Sequence, residues 1–147
     1  MNIEMLREQL EIDEGCVYEI YNDHLGYPTF GIGHLVRDSD PEHGSPVGTE
    51  VSKDRVAEAF DSDIESVLSD CRKLYPNIDD LPEEVQQIIA NMMFNLGYPR
   101  LSKFKNMKKR VDERDWISAG EEMMDSKWYQ QVPNRAGRLV NRMKLIA

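Results

Sequence analysis

Glu14, Asp23 and Thr29 are the residues whose types and spacing best suit chemistry in this 147-residue chain. Glycoside hydrolysis needs one carboxylic acid to protonate the leaving oxygen. It also needs a second carboxylate to manage the attacking water or the cationic transition state. Glu14 stands just before Gly15, Asp23 follows nine residues later, and Thr29 comes six further on. A helix end facing a hairpin turn would set two carboxylates on rigid elements across a cleft. Each residue also has a plain reading. Glu14 could be a solvated helix-end carboxylate, Asp23 an ordinary turn residue, and Thr29 a good strand former. With 27 acids in the chain, a pair nine apart arises by chance. Spacing alone leaves both readings open.

The elements that must position these residues follow from periodicity. Ile3, Leu6, Leu10 and Ile12 suggest one face of a helix over 3–13, which Gly15 would stop. Val17-Tyr18-Glu19-Ile20-Tyr21 reads as a strand, Asn22 to Gly26 as a turn, and Tyr27 to His34 as a second strand with Pro28 at its start or on an edge. The glycines alternating with apolar residues there suggest close backbone packing. Residues 37–48 read as an exposed loop. From Ser52, a plausible N-cap, Val56, Phe60, Ile64, Val67, Cys71 and Leu74 recur at helical spacing, giving about 22 residues that Pro76 ends. A second helix beginning near 80–82 carries Val85, Ile88, Ile89, Met92, Met93 and Leu96, with Gly97 as its stop. Shorter helices are expected at about 100–111, 115–125 and 134–145, the last introduced by Pro133. Met92, Met93, Trp116 and Trp128 read as core. Strands confined to one early hairpin, then helices to the end, make the class α+β.

Composition narrows the function further. The net charge is −9, with 27 acids against 18 Lys and Arg, which argues against a nucleic-acid partner. Bases concentrate in 100–114 and in the final segment, where Arg135, Arg138, Arg142 and Lys144 occur. Cys16 and Cys71 are expected to be free thiols. His24, His34 and His43 have no ligand spacing with them, so neither a metal nor another cofactor is expected. No run reaches a membrane span, and the amphipathic, acidic N-terminus has no secretory pattern. Synthesis in a cytoplasm is expected.

Three blocks carry a resemblance: Ile12-Asp13-Glu14-Gly15 with Ile20-Tyr21-Asn22-Asp23 and Gly26 to Leu35, Asn91-Met92-Met93-Phe94-Asn95-Leu96-Gly97, and Ser126-Lys127-Trp128-Tyr129-Gln130-Gln131-Val132-Pro133-Asn134-Arg135-Ala136. Their order and their Glu-x8-Asp-x5-Thr spacing resemble the phage-type lysozymes, glycoside hydrolase family 24. The resemblance implies one lysozyme-like domain over 1–147. A small N-terminal β-hairpin lobe (about 16–50) would be joined by a long helix (about 52–75) to a larger all-helical lobe (about 80–147 plus the N-terminal helix).

It also implies a muramidase cutting the bond between N-acetylmuramic acid and N-acetylglucosamine in peptidoglycan, with inversion, for phage-mediated host lysis. Glu14 would be the general acid, Asp23 would stabilise positive charge or activate water, and Thr29 would hold that water. Arg135 would pair with Glu14 and orient it. His34 would form a structural ion pair with Asp63, and Leu35 and Phe94 would line the substrate cleft. Met107 and Glu122 depart from the family near the outer cleft, so no contact is carried over to them. A monomer acting on the wall, delivered by a holin-type pore or by a virion, is expected. A lytic transglycosylase would make no use of Asp23 and Thr29. An inactive wall-binding or virion structural module of the same fold is the rival from another class.

Overall fold

A computed structural model describes residues 1–147. It is a mixed α+β structure, a small antiparallel sheet with a predominantly helical remainder. Helix α1 (Ile3–Glu14) buries Leu6 and Leu10, four residues apart on one face. Ile12, expected on that face, is instead 80% exposed. Two residues on from Leu10 carry it about 200° round the helix axis, away from the buried stripe. Gly15 ends α1 at φ 72°, its N–H donating to the Glu11 carbonyl. Glycine takes that left-handed conformation at little steric cost.

The expected single hairpin is a three-stranded sheet. Strands β1 (Val17–Asn22), β2 (Pro28–Gly31) and β3 (His34–Leu35) lie antiparallel in the order β1-β2-β3. What reads in the sequence as one strand over 27–34 is broken because Gly31 and Gly33 both adopt positive φ, 63° and 62°. The chain reverses around Ile32. Pro28 opens β2 and accepts from the Val36 N–H through its carbonyl, so its missing donor harms no ladder. Tyr21 pairs with Thr29, and Thr29 with Leu35, which sets these three in one row across the sheet. Phe30 pairs with His34 in the adjacent row, whose side chains face the other way because strand residues alternate.

Helix α2 (Lys53–Leu74) has the length its sequence period implies. The Ser52 hydroxyl accepts from the Arg55 N–H at 3.1 Å and so caps its start. Val56, Phe60, Ile64, Val67 and Cys71 are buried along it. A 3-10 turn at Ile78–Asp80 precedes α3 (Glu83–Leu96), which starts directly after Pro82 and stops at Gly97 with φ 79°. Then come α4 (Tyr98–Leu101), α5 (Lys105–Asp112), α6 (Trp116–Met124), α7 (Lys127–Gln131) and α8 (Pro133–Lys144).

The helix expected over 100–111 is thus two pieces, interrupted where the Phe104 N–H turns back to the Leu101 carbonyl. Helix α7 has no counterpart in the sequence reading. Ser126 caps it by accepting from the Tyr129 N–H at 3.1 Å, and Val132, disfavoured from helical geometry by Pro133, separates it from α8. Met92, Met93, Trp116 and Trp128 are core residues as read.

Two compact units divide the chain: Glu4–Ser66, and Met1–Ile3 with Val67–Ala147. All of α1 but its first residue therefore groups with the sheet, whereas the sequence reading assigns it to the helical lobe. No helix is long and apolar enough to cross a membrane.

Candidate active site

In the Glu4–Ser66 unit, Glu14 is the last residue of α1 and Asp23 lies directly after β1. Both are partly exposed. The Asp23 carboxylate organises the turn. Its Oδ1 accepts from the N–H groups of Leu25 and Tyr27, each at 2.9 Å. Its own N–H donates to the Tyr27 carbonyl, and its carbonyl accepts from Gly26. Both side-chain bonds end on Oδ1, so Oδ2 is the oxygen left for chemistry.

Thr29 is 3% exposed, and its hydroxyl donates to the Tyr27 carbonyl at 3.0 Å. With its proton committed there, the Thr29 oxygen can act only as an acceptor. Tyr21 lies opposite Thr29. Burial raises the pKa of its phenol, and the charges of Glu14 and Asp23 raise it further. Leu35 completes the row and is 50% exposed.

Behind the row lies a buried ion network. The His34 Nδ1 is 2.7 Å from Asp63 Oδ2, the pair that the family resemblance implies, and its Nε2 is 2.7 Å from Asp40 Oδ2. A carboxylate only accepts, so both ring nitrogens must carry protons. Burial opposes that charge, but the bonds to Asp63 and Asp40 outweigh it and raise the His34 pKa. Asp40 moves the other way. Burial is again outweighed, here by the Arg37 N–H, His34 and Arg55, and its pKa falls.

Arg37 reaches Asp63 at 3.0 Å. Arg55 bonds Glu42 through Nε and Nη2 at 2.9 and 3.0 Å, Asp40 at 3.2 Å and Glu58 at 2.8 Å. The bond from Arg55 holds the Glu42 pKa low. The expected exposed loop over 37–48 is therefore tied down at Asp40 and Glu42, whose side chains are 14% and 13% exposed.

In the helical unit, Arg135 occupies the first turn of α8 and is 8% exposed. A buried cation there sits poorly against the helix dipole. Its Nε donates to Asn91 Oδ1 of α3 at 2.9 Å. One turn along α3, Asn95 Oδ1 accepts from Trp128 Nε1 at 2.7 Å. The Asn91–Gly97 and Ser126–Ala136 blocks thus meet through two hydrogen bonds. Phe94, half-buried, lies between the two asparagines on α3. Met107 is buried and lines, with Phe104, Glu122 and Ser126, a cavity of about 190 Å³.

The structure thus sets Tyr21, Thr29 and Leu35 in one row, brings the acids Glu14 and Asp23 to bear on Tyr21, and places His34 on Asp63. Phe94 and Arg135 belong to the other unit. Tyr21, Asn91 and Asn95 lie inside the resemblance blocks without having been singled out. Asp40 and Arg55 had no signal beyond charge, and a charged loop residue ordinarily reads as solvated. Both cysteines are free, Cys16 exposed and Cys71 buried. No group of His, Cys, Asp and Glu is arranged to hold a metal ion.

The phage lysozyme family model matches residues 11–144. A probable T4-type lysozyme of Dictyostelium discoideum is 27% identical, over 95% of this chain and 93% of its own length. The pre-baseplate central spike protein Gp5 of Enterobacteria phage T4 is 28% identical over 91% of this chain, but only 26% of that protein is matched. A peptidoglycan hydrolase, gp36 of Pseudomonas phage phiKMV, is 27% identical over 93% of this chain and 15% of its own length.

Proposed function

The chain belongs to the phage lysozyme family, and from that premise we propose that it hydrolyses the β-1,4 bond between N-acetylmuramic acid and N-acetylglucosamine in bacterial peptidoglycan. As a family member it is a glycoside hydrolase of lysozyme type. The observation that carries the finer reading is the placement of the acids about one small sheet. Glu14 ends α1 against Gly33, Asp23 follows β1, and Thr29 stands on β2 in register with Tyr21.

In this reading Glu14 protonates the glycosidic oxygen as the bond to the muramic C1 breaks. Asp23 Oδ2 and the Thr29 oxygen each accept a hydrogen bond from one water and aim its lone pair at C1. As the water oxygen bonds to C1, Asp23 takes the one proton released, while the proton from Glu14 leaves with the glycosidic oxygen. The Asp23 charge also stabilises the oxocarbenium-like transition state. Water arriving opposite the leaving group inverts the anomeric carbon, a geometry that in general needs about 6.5–9.5 Å between the carboxyls. Leu35 and Phe94 contact the glycan, and the His34–Asp63 pair is structural.

The charge distribution is compatible with an anionic polymer as substrate. The Glu4–Ser66 unit holds 16 of the 27 acids and 4 of the 18 bases, which leaves the helical unit with more bases than acids. A monomer, carried to the wall through a holin-type pore or by a virion, would act in host lysis. Mass spectrometry of digested peptidoglycan tests the reaction. Reducing muramic ends are expected. Ends in the 1,6-anhydro form would replace hydrolysis by transglycosylation, and binding without cleavage would leave only a wall-binding module.

A further inference from the structure

The geometry points to Gly33 as a positioning residue for the Glu14 carboxyl, an inference that rests on Glu14 being the general acid. The tight reversal between β2 and β3 puts Gly33 against the end of α1. A Cβ built on Gly33 would stand 2.7 Å from Glu14 Oε1, 2.9 Å from Cδ and 3.1 Å from Cγ. Three consecutive atoms of one side chain therefore lie along the face of the glycine. Contacts this short leave no room for a methyl group, so the acid must move if one is added.

This contact differs from those of the other positive-φ glycines. Gly15, Gly26, Gly44 and Gly48 meet nothing within 4 Å, and Gly31 meets only the Val56 side chain. At the four open positions the backbone conformation alone accounts for glycine, whereas at Gly31 a Cβ would also stand 2.9 Å from Val56 Cγ1, a core methyl and not a polar group of the site. At Gly33, with φ 62°, the missing side chain also forms one wall of the seat in which the acid rests. Gly33 touches neither substrate nor reacting atoms in this account. It acts through Glu14 by leaving the carboxyl the space that a Cβ would take.

The test separates displacement of the acid from backbone strain. Gly33→Ala adds both. Gly33→Asn adds the Cβ with less strain, since asparagine tolerates left-handed backbone better than alanine. Gly44→Ala adds strain in open, exposed surface, away from the site.

Steady-state kinetics on soluble glycan strands, run below each variant's melting temperature, should show kcat falling about a hundredfold in both Gly33 variants, the scale of an ångström misplacement. KM should be unchanged, and Gly44→Ala should keep kcat despite a lower Tm. A Gly33→Asn enzyme with wild-type kcat overturns the inference. So does an equal kcat loss in Gly44→Ala. Glu14→Gln, run alongside, distinguishes the two levels. If it is as active as wild type, the acid's role fails and takes the inference with it. If it is inactive while Gly33→Asn is fully active, only the positioning fails.

Discussion

Replacing His34 by alanine removes the centre of the buried ion network, and the structure sets the size of the effect. Two charge-assisted hydrogen bonds of 2.7 Å are lost, each contributing about 1.5–3 kcal/mol. The carboxylates are not wholly orphaned. Asp63 keeps Arg37 at 3.0 Å, and Asp40 keeps Arg55 at 3.2 Å and the Arg37 N–H at 2.8 Å. The loss should therefore sit near the low end for breaking a buried pair, about 3 kcal/mol. For a chain of this size that is roughly 6–12 °C in Tm.

The pH dependence gives the sharper signature. The folded pKa of His34 is raised above its ordinary 6.5, so its contribution is complete below 6.5 and is lost as pH rises through the folded value. The folded pKa of Asp40 is lowered from 3.8, so its contribution is complete above 3.8 and is lost as pH falls through the folded value. The network is strongest in mildly acidic solution, between those limits. Thermal melts followed by circular dichroism from pH 5 to 9 should show wild-type Tm falling toward alkaline pH, and His34→Ala should flatten that fall. A wild-type Tm that rises from pH 6 to 9, or a variant that keeps the full alkaline slope, would refute the reasoning.

Three further outcomes follow from particular contacts. Thr29→Val should lower kcat by about ten- to a hundredfold through loss of the water acceptor, and stability by about 1 kcal/mol through loss of the bond to Tyr27. Thr29→Ser should retain most activity in the same assay. Arg55→Lys, which cannot reproduce the forked bonds to Glu42, should cost roughly 2 kcal/mol and speed amide hydrogen exchange over residues 37–48. In a thiol titration of the native protein Cys16 alone should react. Cys71 is buried and its pKa is pushed up to about 12 by that burial, so it should respond only after denaturation.

Much of the fold could be read from residues whose effect is local. Gly15, Gly97, Pro76 and Pro133 end or begin helices for steric reasons that need no tertiary context, and the period of α2 declares its buried face. The breaks depend on context. Gly31-Ile32-Gly33 carries strand-like alternation, and only the positive φ of both glycines divides it into two strands. Leu101 to Phe104 continues a helical pattern that a turn overrides, and α7 is too short to show a period. The site divides in the same way. Glu14, Asp23 and Thr29 were legible because they stand in ordered blocks resembling a known family. Asp40 and Arg55 were not, because a long-range ion network leaves no mark in sequence spacing. Gly33 read as close packing, without any indication that its neighbour is Glu14.

The central claim is that Glu14 supplies the proton that breaks the glycosidic bond. Turnover of permeabilised Gram-negative cell walls by wild type and by Glu14→Gln, at matched folded concentration, measures this most directly. The account predicts rapid clearing by wild type and a kcat lower by at least about 10²–10⁴ in the variant, the usual contribution of a general acid. Equal clearing by the two proteins would contradict it.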